Sequence, residues 1–281
     1  MRYTHALVPS FPQVLKLEKK QNIDIELLRG EYAAFLDHLK EAGVNLVEFP
    51  TSTISSSSMY LEESAVVING TALICSIPEN LCVRVEDLVS ALENLSWTVR
   101  HIPLKFKGKK VLLNASDVFF TGKEIFVGVH KNSTNKEGVA VLSETYCDYA
   151  VIPVYMSDKA LALKNYISFC AEEVLAIASG KEADAILKRV ERETALIYKK
   201  LTLKESEVAN CIFVNGTLLF QHDQSVQFLP LEKEKIRLHP VNSTQLTKLA
   251  PYFSRLCVFV KNIQTARGVE FNSNDITLRA I

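Results

Sequence analysis

The sequence predicts an α/β protein made of five similar units that close into a ring. Three segments share one pattern of an apolar run, a short turn around a glycine and a second apolar run: SAVVINGTALIC (64–75), SDVFFTGKEIFV (116–127) and ANCIFVNGTLLF (209–220). Weaker copies are FCAEEVLAIAS (169–179) and RLCVFVKN (255–262). Repeats spaced by roughly 40–50 residues are typical of propellers and solenoids, which makes a ring of blades the predicted architecture.

The segments between these repeats alternate between helical and strand-like patterns. Helices are predicted over 24–42, 85–95, 134–147, 181–200 and 243–253, and strands over 3–9, 44–50, 97–104, 149–156 and 231–241. The helix over 181–200 carries an apolar stripe that includes Ala195 and Ile197, and Ser243 or Thr244 is the predicted cap of the last helix. Residues 51–58 (TSTISSSS) are predicted to form a polar loop.

Each unit therefore reads strand, strand, helix, strand. No linker rich in proline or glycine interrupts the chain, so residues 1–262 are predicted to form one domain. A plain two-layer α/β sandwich is the structural alternative. The polar segment 263–281 is predicted to be a C-terminal extension with the composition of a flexible or docking element.

Composition excludes several classes of function. The 281 residues contain 32 basic and 32 acidic side chains, and this balance argues against a general nucleic-acid binder, which usually has a basic excess. No secretory signal and no run of 18 apolar residues is visible, so we expect a cytoplasmic protein without a membrane span. The six cysteines show no metal-binding spacing and are predicted to be buried, reduced thiols; no metal or cofactor is expected.

Several segments, taken in order, resemble the dimethylarginine dimethylaminohydrolases, members of the guanidine-modifying pentein superfamily. They are THALVP (4–9), MYLEESAVV (59–67), DVFFTGKEIFVGVHKNSTN (117–135), DYAVIPV (148–154), LALKN (161–165), VANCI (208–212) and RLCVFVKN (255–262). The similarity covers about residues 3–262. It implies the pentein fold, a five-bladed ββαβ α/β-propeller with pseudo-five-fold symmetry.

The resemblance also implies a chemistry at the centre of the ring. In that family, acidic side chains hold an arginine-like guanidinium, a cysteine thiolate attacks its central carbon, and a histidine handles the protons. Nucleophilic catalysis of this kind needs both the thiolate and a general acid–base partner.

This chain departs from the family pattern at both catalytic positions. The family's Leu-His-Leu-Lys corresponds to Leu-Ala-Leu-Lys here, with Ala162 at the histidine position, and Arg255 occupies the position of the cysteine. Alanine cannot transfer a proton, and the arginine guanidinium stays charged at physiological pH. Because losing either catalytic group costs orders of magnitude in rate, the resemblance predicts a pseudoenzyme.

The substrate-binding positions are partly kept. Acidic residues remain at Glu62, Glu63 and Asp117, whereas the family's loop acid falls at Ser57 and its substrate-gripping arginine corresponds to Lys131-Asn132. The three retained acids could bind a guanidinium, or they could be ordinary surface and turn residues.

Arg255 suggests a more specific hypothesis. Its own guanidinium could occupy the substrate's place, paired with Glu62 or Asp117, because a buried arginine needs such a partner. Lys164 is a further candidate, with a structural ion pair as the simpler interpretation. Cys257 is the fallback nucleophile, although an apolar setting favours a buried thiol.

Two histidines complete the candidate residues. His5 is interpreted as a packed strand residue and His130 as a loop residue.

Three functions remain open. The leading one is an inactive family member that binds a protein partner or an arginine-like ligand, as a monomer or a homodimer. The second is a weak hydrolase that converts methylated arginines to citrulline through Cys257. The third is a structural subunit that pairs with an active relative.

Overall fold

The computed structural model describes residues 2–16, 22–50, 53–55, 59–75, 83–131, 133–204, 206 and 208–262. Five three-stranded sheets account for most of the strands. In each sheet the middle strand pairs antiparallel with one neighbour and parallel with the other. A helical segment precedes the parallel strand in every unit. The prediction of five strand–strand–helix–strand blades is therefore confirmed, and the two-layer sandwich is wrong.

The blades are numbered in chain order. Blade 1 is Ala65–Ile68, Thr71–Ile74, helix Val85–Leu95 and Thr98–His101; blade 2 is Val118–Phe120, Glu124–Val129, helix Lys136–Thr145 and Ala150–Tyr155; blade 3 is Ile167–Ala171, Val174–Ile177, helix Lys181–Glu193 and Lys199–Thr202; blade 4 is Cys211–Val214, Thr217–Gln221, helix Ser225–Phe228 and Arg237–Val241; blade 5 is Val258–Val260, His5–Pro9, helix Ile25–Glu41 and Asn45–Phe49.

Blade 5 combines strands from both ends of the described chain. Its strand Val258–Val260 pairs antiparallel with His5–Pro9, and His5 lies opposite Val260. This arrangement explains why RLCVFVKN is one of the weaker repeats, because its second strand is His5–Pro9 and does not follow directly after it. All five first strands line a central cavity of about 150 Å³.

Two small sheets lie outside the blades. Lys105–Phe106 pairs with Lys109–Lys110, and Val14–Lys16 pairs with Thr53–Ser55. The second pairing corrects the prediction of a polar loop over 51–58, since β-branched Thr53 and Ile54 suit a strand. The remainder of that predicted loop lies outside the described residues, as do Cys82 and the predicted extension 263–281.

The helix predicted over 181–200 is too long. It ends at Glu193, and Lys199–Thr202 forms the third strand of blade 3. The buried carboxylate of Glu124 accepts hydrogen bonds from the Thr194 hydroxyl (2.6 Å) and the Ala195 amide (3.1 Å). This tertiary contact ends the helix. Ile197, which was predicted to belong to the apolar stripe, is therefore exposed.

The helix predicted over 243–253 is also shorter, and its cap differs. Only Leu246–Leu249 is α-helical, and a 3₁₀ turn follows at Phe253–Leu256. Neither Ser243 nor Thr244 caps the helix. Buried Glu31, on the helix of blade 5, instead accepts hydrogen bonds from the amides of Gln245 and Leu246 at 2.8 and 2.7 Å, which satisfies donors that a local cap would otherwise hold.

The cysteine prediction holds for four thiols. Cys75, Cys170, Cys211 and Cys257 are free and buried, whereas Cys147 is exposed, which corrects the prediction at that position. Burial raises the pKa of both Cys75 and Cys211 to about 12, so these thiols are protonated and inert at neutral pH. Among the described residues, no helix is both long and apolar enough to cross a membrane.

Gly128 should be hard to replace. A Cβ at this position would lie 2.7 Å from Met156 Sδ, 2.9 Å from Leu163 Cβ and 3.2 Å from Asp117 Oδ1. We expect Gly128→Ala to lower the free energy of unfolding by about 1–3 kcal/mol through overpacking. Gly30 is the matched control, because a Cβ there meets nothing within 4 Å; as an exposed helix position, Gly30→Ala should raise stability by up to about 1 kcal/mol. Urea denaturation measures both, and equal effects would contradict the expectation.

Candidate functional site

Short helical turns carry most of the candidate residues. The turns Leu61–Ser64, Ala115–Asp117, Leu163–Tyr166 and Phe253–Leu256 each lead into the first strand of a blade. The first turn contacts the second and the fourth, and the second also contacts the third. Pseudo-symmetry thus brings charged residues that are distant in sequence to one end of the ring; they are Glu62, Glu63, Asp117, Lys164 and Arg255.

Arg255 is paired with Glu63. Its Nε–H and Nη2–H both donate to Glu63 Oε1, at 3.1 and 2.6 Å. The guanidinium carbon also lies 3.8 Å from the ring centroid of Tyr60 and 5.7 Å from that of Tyr252. A cation against an aromatic face is stabilised electrostatically. The ion pair and the two rings together enclose the guanidinium, and the Arg255 side chain is only 22% exposed.

This geometry corrects the predicted partner of Arg255. The sequence-based hypothesis named Glu62 or Asp117, but the carboxylate that accepts its hydrogen bonds is Glu63.

Glu62 is paired with Lys164. The ammonium donates to Glu62 Oε1 at 2.9 Å, and the Glu62 side chain is 7% exposed. Ser116 Oγ lies 3.5 Å from the other oxygen of the carboxylate. Both members of the pair line the central cavity. Lys164 thus forms the structural ion pair that was the simpler interpretation of this residue in the sequence. The pair lies within the candidate site.

Asp117 is fully buried and accepts hydrogen bonds on both oxygens. Oδ1 accepts from the Leu163 amide at 3.0 Å and lies 3.1 Å from His130 Nε2. Oδ2 accepts from the hydroxyls of Ser133 (2.5 Å) and Thr134 (2.9 Å). A carboxylate in this setting is held rigidly, and its lone pairs are already engaged by the protein's own donors.

His130 contributes more than its predicted role as a loop residue. It does follow strand Glu124–Val129 directly, but its side chain is 8% exposed and its ring contacts Asp117. His5 lies elsewhere, on a blade 5 strand beside a separate cavity that helix Val85–Leu95 also lines. It is half-buried and its ring lies 2.9 Å from Thr4 Oγ1, in line with its interpretation as a packed strand residue.

Cys257 follows the Arg255 turn and lines the central cavity near Glu62 and Lys164. Its thiol is nevertheless buried and lies 3.6 Å from the Ser254 carbonyl oxygen. Burial, reinforced by the nearby Glu62 carboxylate, raises the pKa of Cys257 well above its usual range. A thiol of this kind is a poor nucleophile at neutral pH.

The remaining family positions are accounted for as follows. Ala162 is the residue before the Leu163–Tyr166 turn, and Lys131 is exposed. Ser57 and Asn132 lie outside the described residues. Sequence reasoning missed Tyr60, Tyr252, Ser133 and Thr134, whose only signal is their nearness in sequence to charged candidates.

The His130–Asp117 contact should make stability depend on pH. Its hydrogen bond to Asp117 raises the pKa of His130 above 6.5, although burial opposes the shift. The protonated ring is thus favoured in the folded state. Its contribution to the free energy of unfolding is full below the unfolded pKa of about 6.5, and it is lost as pH rises through the folded pKa.

We expect the difference in unfolding free energy between wild type and His130→Gln to shrink as pH rises through that range. Glutamine keeps a donor but does not titrate. His222→Gln, at an exposed position, is the control. Chemical denaturation between pH 5 and pH 8 measures the difference, and a pH-independent one would refute this assignment.

Solved structures of known proteins share the fold of this chain. No known family model matches the chain. The solved structure of a dimethylarginine dimethylaminohydrolase (DDAH) from Pseudomonas aeruginosa, a cysteine-to-serine mutant complexed with citrulline, matches 92% of this chain and 100% of its own, with a TM-score of 0.74 and 16% identity. The N-terminal domain of ArgZ, a cyanobacterial arginine dihydrolase, matches 92% of this chain and 97% of its own, with a TM-score of 0.67 and 12% identity. The fold is therefore the pentein fold, as the sequence predicts.

Sequence relatives narrow the class to a family. The proteins named "Putative hydrolase DDAH2" from Homo sapiens and Bos taurus are each 26% identical over 275 residues, which cover 92% of this chain and 94% of theirs. The sequence match and the fold support membership of this chain in the dimethylarginine dimethylaminohydrolase family. The similarity to these two relatives extends over nearly the whole chain.

Proposed function

We propose that this chain is a catalytically inactive member of the dimethylarginine dimethylaminohydrolase family that acts by binding a protein partner. The observation that carries the proposal is the Arg255–Glu63 ion pair, whose guanidinium also lies against the rings of Tyr60 and Tyr252. It fits the resemblance, in which Arg255 replaces the nucleophile and Ala162 replaces the acid–base histidine. The chain's own guanidinium then takes the place of a substrate guanidinium.

The other retained acids support the same conclusion. Glu62 is bonded to Lys164, and Asp117 is surrounded by donors of the chain itself. A free arginine would have to displace an intramolecular cation, which is present at a high effective concentration. These contacts favour a protein partner over an arginine-like ligand. An active relative is one candidate partner of this kind.

The decisive assay measures citrulline released from asymmetric dimethylarginine and from arginine, beside an active dimethylarginine dimethylaminohydrolase. We expect no release above background from the purified protein, and no increase in melting temperature with either compound. Circular dichroism verifies that the preparation is folded. Sustained citrulline release proportional to protein concentration would overturn the proposal. A melting shift without citrulline would instead restore the arginine-like ligand as the binding partner.

A weak hydrolase that uses Cys257 is the second candidate, because this thiol lines the central cavity beside Glu62 and Lys164. Its burial and raised pKa count against it. We expect iodoacetamide at neutral pH to label exposed Cys147 much faster than Cys257, as peptide mass spectrometry would measure. Fast labelling of Cys257 that dimethylarginine blocks, with citrulline release lost in Cys257→Ser, would establish the hydrolase.

A further inference from the structure

A second group of chemically active side chains lies away from the central cavity, where the blade 5 helix meets blade 4. His38 and Glu41 are in the last turn of helix Ile25–Glu41, three residues apart and therefore on one face. His239 is on the third strand of blade 4, Arg237–Val241. Three potential metal ligands thus meet at a seam between two blades.

The three donor atoms form a nearly equilateral triangle. His38 Nδ1 lies 3.3 Å from His239 Nδ1 and 3.2 Å from Glu41 Oε2, and His239 Nδ1 lies 3.4 Å from the same oxygen. A tetrahedral zinc ion with bonds of about 2.0–2.1 Å has donor–donor edges of about 3.3–3.4 Å. The three side chains therefore already have the spacing of one face of a zinc tetrahedron.

We propose that His38, Glu41 and His239 bind a Zn²⁺ ion, with the fourth position open to solvent. Two imidazoles and one carboxylate are a ligand set that zinc accepts with three protein ligands. Mg²⁺ and Ca²⁺ are disfavoured, because these ions require a shell of oxygen ligands. The cysteine spacing could not indicate this site, since its ligands are two histidines and a glutamate. His239 is also 201 residues from His38 in sequence.

The surroundings suit metal binding. The side chains of His38, Glu41 and His239 are 28%, 59% and 23% exposed, so an ion can reach them from solvent. Imidazole in its neutral form offers a ring nitrogen lone pair to a metal ion. The other explanation is a metal-free cluster in which one ring donates a hydrogen bond to the other. A measurement of metal binding distinguishes the zinc site from the metal-free cluster.

Zinc binding is tested on the full chain with any purification tag removed, by competition with a chromophoric zinc indicator. The exposed thiol of Cys147 could also bind zinc, so all proteins carry Cys147→Ser. We expect one Zn²⁺ per chain and a melting temperature that rises with zinc concentration. Mg²⁺ at the same concentrations should leave the melting temperature unchanged.

Two variants remove single ligands and one serves as the matched control. His239→Ala and Glu41→Gln should weaken Zn²⁺ binding more than about 10-fold, which is the effect of disturbing even an outer partner of a metal ligand. His222→Ala removes an exposed histidine outside the cluster and should bind as wild type does. Because the Glu41 side chain is 59% exposed, Glu41→Gln should fold even if His239→Ala does not.

Co²⁺ gives an independent readout, since tetrahedral cobalt has intense visible absorption and octahedral cobalt does not. We expect those bands in wild type and in His222→Ala, and their loss in Glu41→Gln. The proposal is overturned if the protein binds no Zn²⁺, or if Glu41→Gln and His239→Ala bind it as tightly as wild type. In that case the three side chains form only a hydrogen-bonded cluster.

Discussion

Arg255→Ala is expected to lower the free energy of unfolding by about 2–3 kcal/mol and to create a site for a free guanidinium. Removing one partner of a buried ion pair costs about 3–5 kcal/mol because the remaining charge is left unpaired. Partial exposure reduces that figure here, since the Arg255 and Glu63 side chains are 22% and 15% exposed. Urea denaturation monitored by circular dichroism measures the loss.

The same variant should be rescued by a small guanidine. Removal of the side chain leaves the Glu63 carboxylate and the Tyr60 ring, which held the Arg255 guanidinium in wild type. Methylguanidinium at millimolar concentration should therefore raise the melting temperature of Arg255→Ala and leave that of wild type unchanged. Methylammonium is the control ligand, because it lacks the planar fork that bonds a carboxylate through two nitrogens.

Two further variants complete the experiment. Arg192→Ala is the control: Arg192 pairs with Glu193 at the surface, where the two side chains are 73% and 45% exposed. This variant should change the free energy of unfolding by less than about 0.5 kcal/mol. Glu63→Gln combined with Arg255→Ala should abolish the rescue. Wild-type stability of Arg255→Ala, or equal responses of both proteins to methylguanidinium, would show that Glu63 and Tyr60 do not form a guanidinium site.

Asp117→Asn is expected to lower the free energy of unfolding by about 3–5 kcal/mol. The Asp117 carboxylate is fully buried and accepts hydrogen bonds from Ser133, Thr134 and the Leu163 amide. An amide can accept on only one of its two polar atoms, so at least one buried donor loses its partner, and His130 loses the charge beside it. Both losses are costly where water cannot substitute.

The matched control is Asp37→Asn, in a surface ion pair whose aspartate is 67% exposed. It should change stability by less than about 0.5 kcal/mol. Chemical denaturation of both variants at pH 6 measures the contrast. An Asp117→Asn protein as stable as the Asp37→Asn protein would mean that the Asp117 hydrogen bonds contribute little to folding.

The local pattern of the sequence was sufficient to predict the blades. Apolar alternation around Gly70 and Gly216 predicts two hairpins, and both form with positive φ at these glycines (81° and 77°). The helix predicted over 85–95 also agrees, at Val85–Leu95. Such elements are predictable because burial of one face and turn geometry depend on residues that are close in sequence.

Helix ends and caps were less predictable because tertiary contacts decide them. The helix over 181–193 ends where Thr194 and Ala195 donate hydrogen bonds to the Glu124 carboxylate, which is about 70 residues away in sequence. Glu31 supplies the cap that Ser243 or Thr244 was predicted to provide. Nothing local distinguishes these glutamates from surface ones.

The candidate site divides in the same way. The sequence alone specifies five blades and places Glu62, Glu63, Asp117, Lys164 and Arg255 in the short segments that lead into them, because these are local properties of each repeat. Only the tertiary structure pairs Arg255 with Glu63 and Lys164 with Glu62. It also brings His239 to the helical pair His38 and Glu41. Long, flexible charged side chains can contact several different partners. The packing of turns and strands that are distant in sequence decides which partner each side chain contacts.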